Sequence, residues 1–411
     1  MRFLVFTQYF PPEIGAPSTR LAAVITALRR RGHEVEVVTA MPNYPNGEIS
    51  LEYRGRFYMF DNWSGVPVHR VWMYAATGAG FKRLIGYLSF TIFSSFGLFR
   101  AERPDFLFVE SPPLFLSLPA FIYSRLKRVP YIFNVADLWP DSLVSVGYDI
   151  DSPFIRMARY LEKWSYCKAA YVIALTEGIK STLLKDKNVA ESKVLFLPNG
   201  VDTEMFQPRE PDQTLVREQG FVKKKVILYA GNIGLAQGLD VAIEAMNILQ
   251  ESHADVLLCF IGDGSDKVRL ETLVRSNHMK NIVFLRSQPP EFVSRLYNIS
   301  IAGFVSLKKD KLFEGARPSK MFPIMASQKP VIYSADGEGA EIIRKAEAGL
   351  VTPAGDVGML AEAIARIADD AELREQLGKS GREYVERHLK WDILVGRWLG
   401  QLDNATVSFK R

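Results

Sequence analysis

Cysteine is nearly absent: the 411 residues contain two, Cys167 and Cys259. No disulfide framework follows, and the apolar settings KWSYCKAA and VLLCFIG read as buried thiols in a reducing compartment. The five histidines show no paired spacing and no acidic companions, which argues against a metal site. The formal net charge of +5 is small for this length and the cations are scattered. A dedicated nucleic-acid binder is therefore disfavoured, while a basic patch facing phosphates or an anionic membrane stays open. No apolar run reaches the roughly 20 residues of a membrane-crossing helix. The start, MRFLVFTQYFPPEIG, lacks the basic region, apolar block and cleavage site of a secretion signal, so a cytoplasmic protein is expected.

What is present is an alternation. A hydrophobic content of 48% over this length is too much for one core and comfortable as two. Phe3 to Phe6 reads as a buried strand. A helix from about Thr19 to Arg31 follows, with Leu21, Val24, Ile25 and Leu28 on one face and a stop at Gly32. Val35 to Thr39 completes a βαβ unit and commits the sheet to parallel strands. Unbroken apolar runs at 106–109, 131–135, 171–174 and 194–197 extend it. A polar stretch, 202–224, looks like a linker. The rhythm then restarts with runs at 226–229, 256–261, 282–285, 301–305, 330–332 and 350–351. We expect two doubly wound α/β domains facing a central cleft, 1–200 and 201–385, with a final helix in 386–411 that caps the second domain or crosses back to the first. KRLIGYLSFTIFSSFGLFR, 82–100, reads either as a buried helix or as one that dips into a membrane face, drawn by Lys82, Arg83 and Arg100.

In open parallel sheets ligands bind beyond the carboxyl ends of the strands. After the first strand, Gly15 leads into a helix, with Ser18 or Thr19 as its cap and amides able to hold an oxyanion. YAGNIGLAQGLD places Gly231, Asn232 and Gly234 after a second-half strand. The glycines suit close approach to a diphosphate, but their spacing departs from the dinucleotide fingerprint. FIGDGSD reads equally well as a plain turn. The strongest local signal is KLFEGARPSKMFPIMASQKPVI. Pro318 and Ser319 are helix-start residues, Met321, Ile324 and Met325 form a buried face, and Arg317 and Lys320 bring positive charge to the same place, where an anion would be received.

These residues resemble a known family. FLPNGVDTEMFQP (196–208) is similar to the interdomain signature of family 4 glycosyltransferases of the GT-B fold. GNIG, IGDG, NIVFLRSQPPEFVSRLY, RPSKMFPIMASQKPVI and, in the first half, QYFPPEIGAPSTRLAAVITALRRRGHEVEVVT and NVADLWPDS fall in that family's order. The resemblance covers nearly the whole chain and is greatest to bacterial O-antigen or capsule transferases, including a fucosaminyltransferase-like branch. It implies retaining transfer of a sugar, such as the N-acetylated deoxyhexosamine L-FucNAc, from a nucleotide diphosphate donor to a lipid-linked saccharide. The donor would be UDP-linked in preference to GDP-linked, no metal or other cofactor would be needed, and the enzyme would work at the inner face of the cytoplasmic membrane.

By the same resemblance the donor would be held by Gly15, Gly231, Asn232, Gly234, Arg286, Ser287, Arg317, Ser319 and Lys320, and the acceptor would lie near Ser111 and Asp141. Catalytic roles would fall to Lys320, Asp137, Glu110 and Glu314. The sequence departs from the family at three places. Eight positions beyond Glu314 stands Phe322, beside Pro323, so the glutamate that holds the donor ribose is missing. The arginine and lysine usual after the second domain's first strand are replaced by Asn232 and Gln237 or its neighbours. The usual first-domain histidine is absent, leaving the carboxylates of Glu110, Asp137 and Asp141 as candidates to accept a proton. A nucleotide-sugar epimerase and a noncatalytic nucleotide-sugar-binding scaffold at a membrane surface are the rival readings.

Overall fold

Apolar runs bounded by turn residues become strands, those at the sheet centres buried on both faces, and the helix-length segments between them force parallel pairing. The computed structural model describes residues 1–13, 15–44, 47–76, 81–145 and 149–409. It divides into two units, Met1–Asn199 with Leu394–Arg411, and Gly200–Ile393.

The first unit is built on β1 (Arg2–Phe6), β2 (Glu34–Ala40), β3 (Tyr58–Trp63), β4 (Val66–Val71), β5 (Phe106–Ser111), β6 (Tyr131–Val135), β7 (Tyr171–Ala174) and β8 (Val194–Phe196). Their order across the sheet is β3-β4-β2-β1-β5-β6-β7-β8. All neighbours run parallel except β3, which pairs antiparallel with β4. That hairpin corrects the expectation of an all-parallel sheet. Ser64 and Gly65, both at positive φ, form its two-residue loop. Successive side chains alternate between sheet faces, so Phe3 and Phe6 point to opposite sides. The Trp398 ring lies 5.8 Å from Phe3 and from Phe108 on one side. Phe90, in helix Phe81–Arg100, lies 5.8 Å from Phe6 on the other. The helix Trp391–Phe409 therefore completes the first unit's core, with Trp398 fully buried.

The second unit carries β9 (Lys225–Ala230), β10 (Val256–Ile261), β11 (Ile282–Leu285), β12 (Ala302–Ser306), β13 (Val331–Ser334) and β14 (Gly349–Thr352). They lie in the order β11-β10-β9-β12-β13-β14, all parallel. The order reverses between β9 and β12, and in the first unit between β1 and β5, which marks the two switch points where such sheets receive ligands.

Three local expectations need correcting. The first helix is Ala16–Arg30, capped by Gly15 and not by Ser18 or Thr19, because Pro17 is favourable in a first turn; the Ser18 hydroxyl instead donates to the Glu13 carbonyl at 2.7 Å. The stretch 202–224 is no free linker. It holds the helix Gln213–Glu218 and is fixed to the second unit by Arg382, whose Nη1 donates to the carbonyls of Thr203 (3.2 Å), Phe206 (2.8 Å) and Ala326 (2.6 Å). Cys259 is buried, its thiol pushed up to about 12 by burial, but Cys167 is exposed near the end of helix Pro153–Lys168.

Candidate active site

In the second unit the site grows from the ends of β9, β10 and β12. Leaving β9, the chain passes through Gly231 at φ +143, a conformation that strains any other residue. A Cβ there would meet the Cε and Nζ of Lys320 at 3.3 Å, so glycine lets the lysine lie against the backbone. Lys320 Nζ donates to the Tyr229 hydroxyl at 2.5 Å and sits 4.2 Å from that ring's centroid, and the hydroxyl donates to the Asn232 carbonyl at 2.5 Å. Among the described residues no carboxylate pairs with Lys320. Burial pushes its ammonium down to about 7. An uncompensated, half-buried cation at a switch point is an anion receptor.

The neighbouring loops hold this arrangement by backbone contact. The Gly231 amide donates to the Ile261 carbonyl (2.9 Å) and the Ile233 amide to that of Asp263 (2.8 Å). A Cβ on Gly262 would fall 1.9 Å from the Gly231 carbonyl oxygen, and one on Gly264 2.2 Å from that of Ile233. GDG is thus a seam joining two loops. Lys267, which the sequence reading passed over, closes the next one, with Nζ donating to the carbonyls of Gly262 (2.9 Å) and Leu285 (3.1 Å). On the other flank the Ser306 hydroxyl donates to the Gln237 carbonyl at 2.7 Å and the Lys308 amide to that of Ala236 at 2.9 Å.

Of the donor residues expected in this unit, Gly231, Asn232 and Lys320 come together. The Gly234 amide is already satisfied by Gln237 Oε1 at 3.1 Å. Arg286 and Ser287 are exposed just beyond edge strand β11. Arg317 places its guanidinium 5.2 Å from the Phe322 ring centroid. Ser319 lies in the turn before the helix, which starts later than expected, at Met321, with Lys320 as its cap. Met321, Ile324 and Met325 form its buried face as expected. Glu314 is exposed, and its backbone carbonyl accepts the Glu338 amide at 2.7 Å.

In the first unit, Glu110 is buried at the end of β5. Its carboxylate accepts from Asn134 Nδ2 at 2.8 Å and from Arg20 Nη1 at 3.4 Å, and Arg20 also reaches the Leu197 carbonyl at 3.2 Å. Burial pushes Glu110 up to about 7 against the pull of Arg20 and Asn134. Ser111 beside it is buried as well. Asp141 is held by Lys187 (2.7 Å) and Arg159 (3.3 Å), and Lys187 continues to Glu162 at 2.8 Å. Asp137 is exposed beyond β6. Desolvation by nearby atoms raises its carboxyl, the Asp141 charge adding to the effect.

A first-unit cavity lies elsewhere, past the ends of β1, β2 and β4. It encloses about 80 Å³ and is lined by Gln8, Tyr9, Asn43, Tyr44, Arg83 and Tyr87 among others. Arg83 Nε donates to the Tyr87 hydroxyl at 2.6 Å, and the Tyr9 and Tyr44 rings meet edge to face at 5.7 Å. Among the described residues the buried Gln8 amide meets only the Met73 sulfur, at 3.7 Å, and its Oε1 finds no partner. Four separate segments build this pocket, so no contiguous motif announces it. Gly15 stands close by, where a Cβ would touch Tyr44 at 3.3 Å.

Two matched domains account for this architecture. Residues 15–200 match the Glycosyl transferase 4-like domain, and residues 212–384 match the Glycosyl transferases group 1 domain. The chain is a glycosyltransferase of the GT-B fold. It is 26% identical over 345 residues to WcaI of Escherichia coli (strain K12), provisionally named a colanic acid biosynthesis glycosyl transferase, covering 82% of this chain and 84% of that one. It is 25% identical over 407 residues to a GDP-mannose-dependent alpha-mannosyltransferase of Mycobacterium tuberculosis (strain CDC 1551 / Oshkosh), covering 98% and 96%. Among solved structures, sucrose-phosphate synthase from Thermosynechococcus elongatus superposes with a TM-score of 0.75 at 18% identity, over 99% of both chains. HepE from Anabaena, solved with UDP and glucose, superposes at 0.73 and 15% identity, over 98% of this chain and 99% of that one.

Proposed function

We propose that the protein transfers a sugar, with retention, from a nucleoside-diphosphate donor held by the second unit to a hydroxyl of a lipid-linked saccharide held by the first. The observation that carries the donor half is Lys320, laid on Gly231 at the end of β9 with no carboxylate among the described residues to neutralise it. In the transfer the bond from the anomeric carbon to a diphosphate oxygen breaks, and the diphosphate leaves with the electron pair. The acceptor hydroxyl oxygen bonds to the same face of that carbon and gives its proton to the departing phosphate. Lys320 stabilises the charge that accumulates on the leaving group. The acceptor's sugar ring is assigned to the tyrosine-lined pocket. The colanic acid name of WcaI supports a role in bacterial surface polysaccharide assembly, of which O-antigen and capsule are examples, at the inner face of the cytoplasmic membrane. An N-acetylated deoxyhexosamine such as L-FucNAc fits that chemistry. UDP is the donor base favoured by HepE, and GDP is the competitor raised by the mannosyltransferase.

Thermal unfolding of the purified chain with UDP, GDP or CDP, with a chelator present, tests the donor half. A ligand at about 100 times its Kd adds about 2.7 kcal/mol. One nucleotide should raise the melting temperature by several degrees. No response to any of them, from protein shown to be folded, would refute a nucleoside-diphosphate site.

A further inference from the structure

A surface helix of a globular domain normally turns its polar side to water. Helix Phe81–Arg100 packs Phe90 and Leu98 inward but turns a second apolar side to water. Ile85, Leu88, Ile92, Phe96 and Phe99 recur at helical spacing, and all are exposed, Ile92 by 68%. The next helix, Ser117–Lys127, repeats the pattern with Leu118, Ile122 and Leu126, the last also 68% exposed. Helix Pro153–Lys168 adds Met157 and Tyr160. The three lie side by side: the Phe99 and Tyr123 rings are 5.5 Å apart, and those of Phe121 and Trp164 are 5.0 Å apart. Together they form an apolar face wider than scattered surface residues would give, and such faces mark an interaction site.

Charge identifies the partner. The helices Phe81–Arg100 and Ser117–Lys127 contain no acidic residue. Helix Pro153–Lys168 contains one, Glu162, which is buried and bound to Lys187 and Tyr166. Most of the cations on the three helices are exposed, among them Lys82, Arg83, Arg100, Arg125, Arg156 and Lys163, while Arg159 is paired with Asp141. Beyond the helix ends, Glu102 is held by Arg2, and the exposed Asp149 and Asp151 stand before the first turn of helix Pro153–Lys168. Exposed aliphatic and aromatic side chains rimmed by cations of one sign suit the headgroup and acyl boundary of an anionic bilayer. Among the described residues no helix is long and apolar enough to cross a membrane, so the face would lie on the surface.

We infer that the outer face of the helices Phe81–Arg100, Ser117–Lys127 and Pro153–Lys168 docks the first unit onto an anionic lipid bilayer. The face shares only Arg83 with the pocket, so docking does not depend on the assignment of donor or acceptor. Each cation brought to the lipid surface strengthens partition about fivefold. Each exposed aliphatic side chain that becomes buried adds about tenfold.

The test is sedimentation of the full chain with vesicles of phosphatidylcholine alone or mixed with phosphatidylglycerol, reading binding and not turnover. The protein should sediment with the mixed vesicles and be released by high salt. Arg125→Gln with Lys163→Gln should weaken binding roughly 25-fold, and Ile92→Ser with Ile122→Ser about a hundredfold, all with unchanged melting temperatures. Folded protein that ignores anionic vesicles, binds neutral ones equally, or keeps full affinity in the charge variant would overturn the inference. So would a dimer in sedimentation velocity that the Ile92/Ile122 variant dissolves, since a second copy would then be the occupant.

Discussion

Replacing Lys320 by alanine removes one ammonium and leaves Gly231 and Tyr229 in place. At about 4 Å from a phosphate oxygen, in surroundings of effective dielectric about 20, one such charge interacts by about 4 kcal/mol. Losing a single preorganised donor of developing charge costs about 10²–10³ in rate. We therefore expect kcat/KM to fall about 10²–10³-fold, with the fold intact. The free ammonium titrates near 7, because burial disfavours the charge. At about pH 8 only about a tenth of the free protein carries that proton, and a bound diphosphate would restore it. Affinity for the diphosphate should thus fall by up to about tenfold per pH unit above 7, with proton uptake visible when calorimetry is run in two buffers. Stability runs the other way. Between about 7 and the ordinary lysine value of 10.5 the unfolded chain holds a proton that the folded chain does not, so the unfolding free energy rises with pH across that window. Both slopes should vanish in Lys320→Ala. Unchanged turnover in the folded variant, or a parallel pH dependence in both proteins, would refute the charge assignment.

Gly262→Ala should lower stability by about 2 kcal/mol and abolish nucleotide stabilisation, because the new methyl would overlap the Gly231 carbonyl; Gly355→Ala, also at positive φ but with nothing near its Cβ, should cost about 1 kcal/mol and leave binding alone, as thermal melts with UDP will show. Arg20→Met strands Glu110 without its cation and should destabilise by about 3–5 kcal/mol. That loss should be larger above pH 7 than at pH 5, since Glu110 holds its folded-state proton up to about 7 while the unfolded carboxyl loses it near 4.5; denaturant titration at the two pH values decides. Arg382→Met leaves the carbonyls of Thr203, Phe206 and Ala326 without their donor and should cost about 3 kcal/mol, read by urea unfolding.

Buried parallel strands were legible because their apolar runs need no partner to be recognised: 131–135, 171–174 and 256–261 match the observed strands residue for residue, as does the edge strand 282–285. The hairpin β3–β4 was not, since β3 is an edge strand with Phe60 turned 60% to solvent, and its half-exposed alternation resembles loop. Lys320 was readable from local chemistry alone, as a cation in front of a buried helical face. The surroundings of Glu110 were not. Its partners Arg20 and Asn134 are 90 and 24 residues away, and only folding brings them together. The tyrosine pocket fails for the same reason, assembled as it is from short pieces near residues 8, 43, 73 and 83.

The return of the helix Trp391–Phe409 to the first unit has a consequence for biosynthesis. Gly200–Ile393 is one uninterrupted segment and can fold as soon as it leaves the ribosome. The first unit, although its sheet is made earlier, waits for Trp398 to cover Phe3 and Phe108. The N-terminal half of the nascent chain therefore carries Phe3 and Phe108 without their Trp398 cover through the whole synthesis of the C-terminal half. Any pause in translation between those points prolongs its exposure to aggregation and to chaperones.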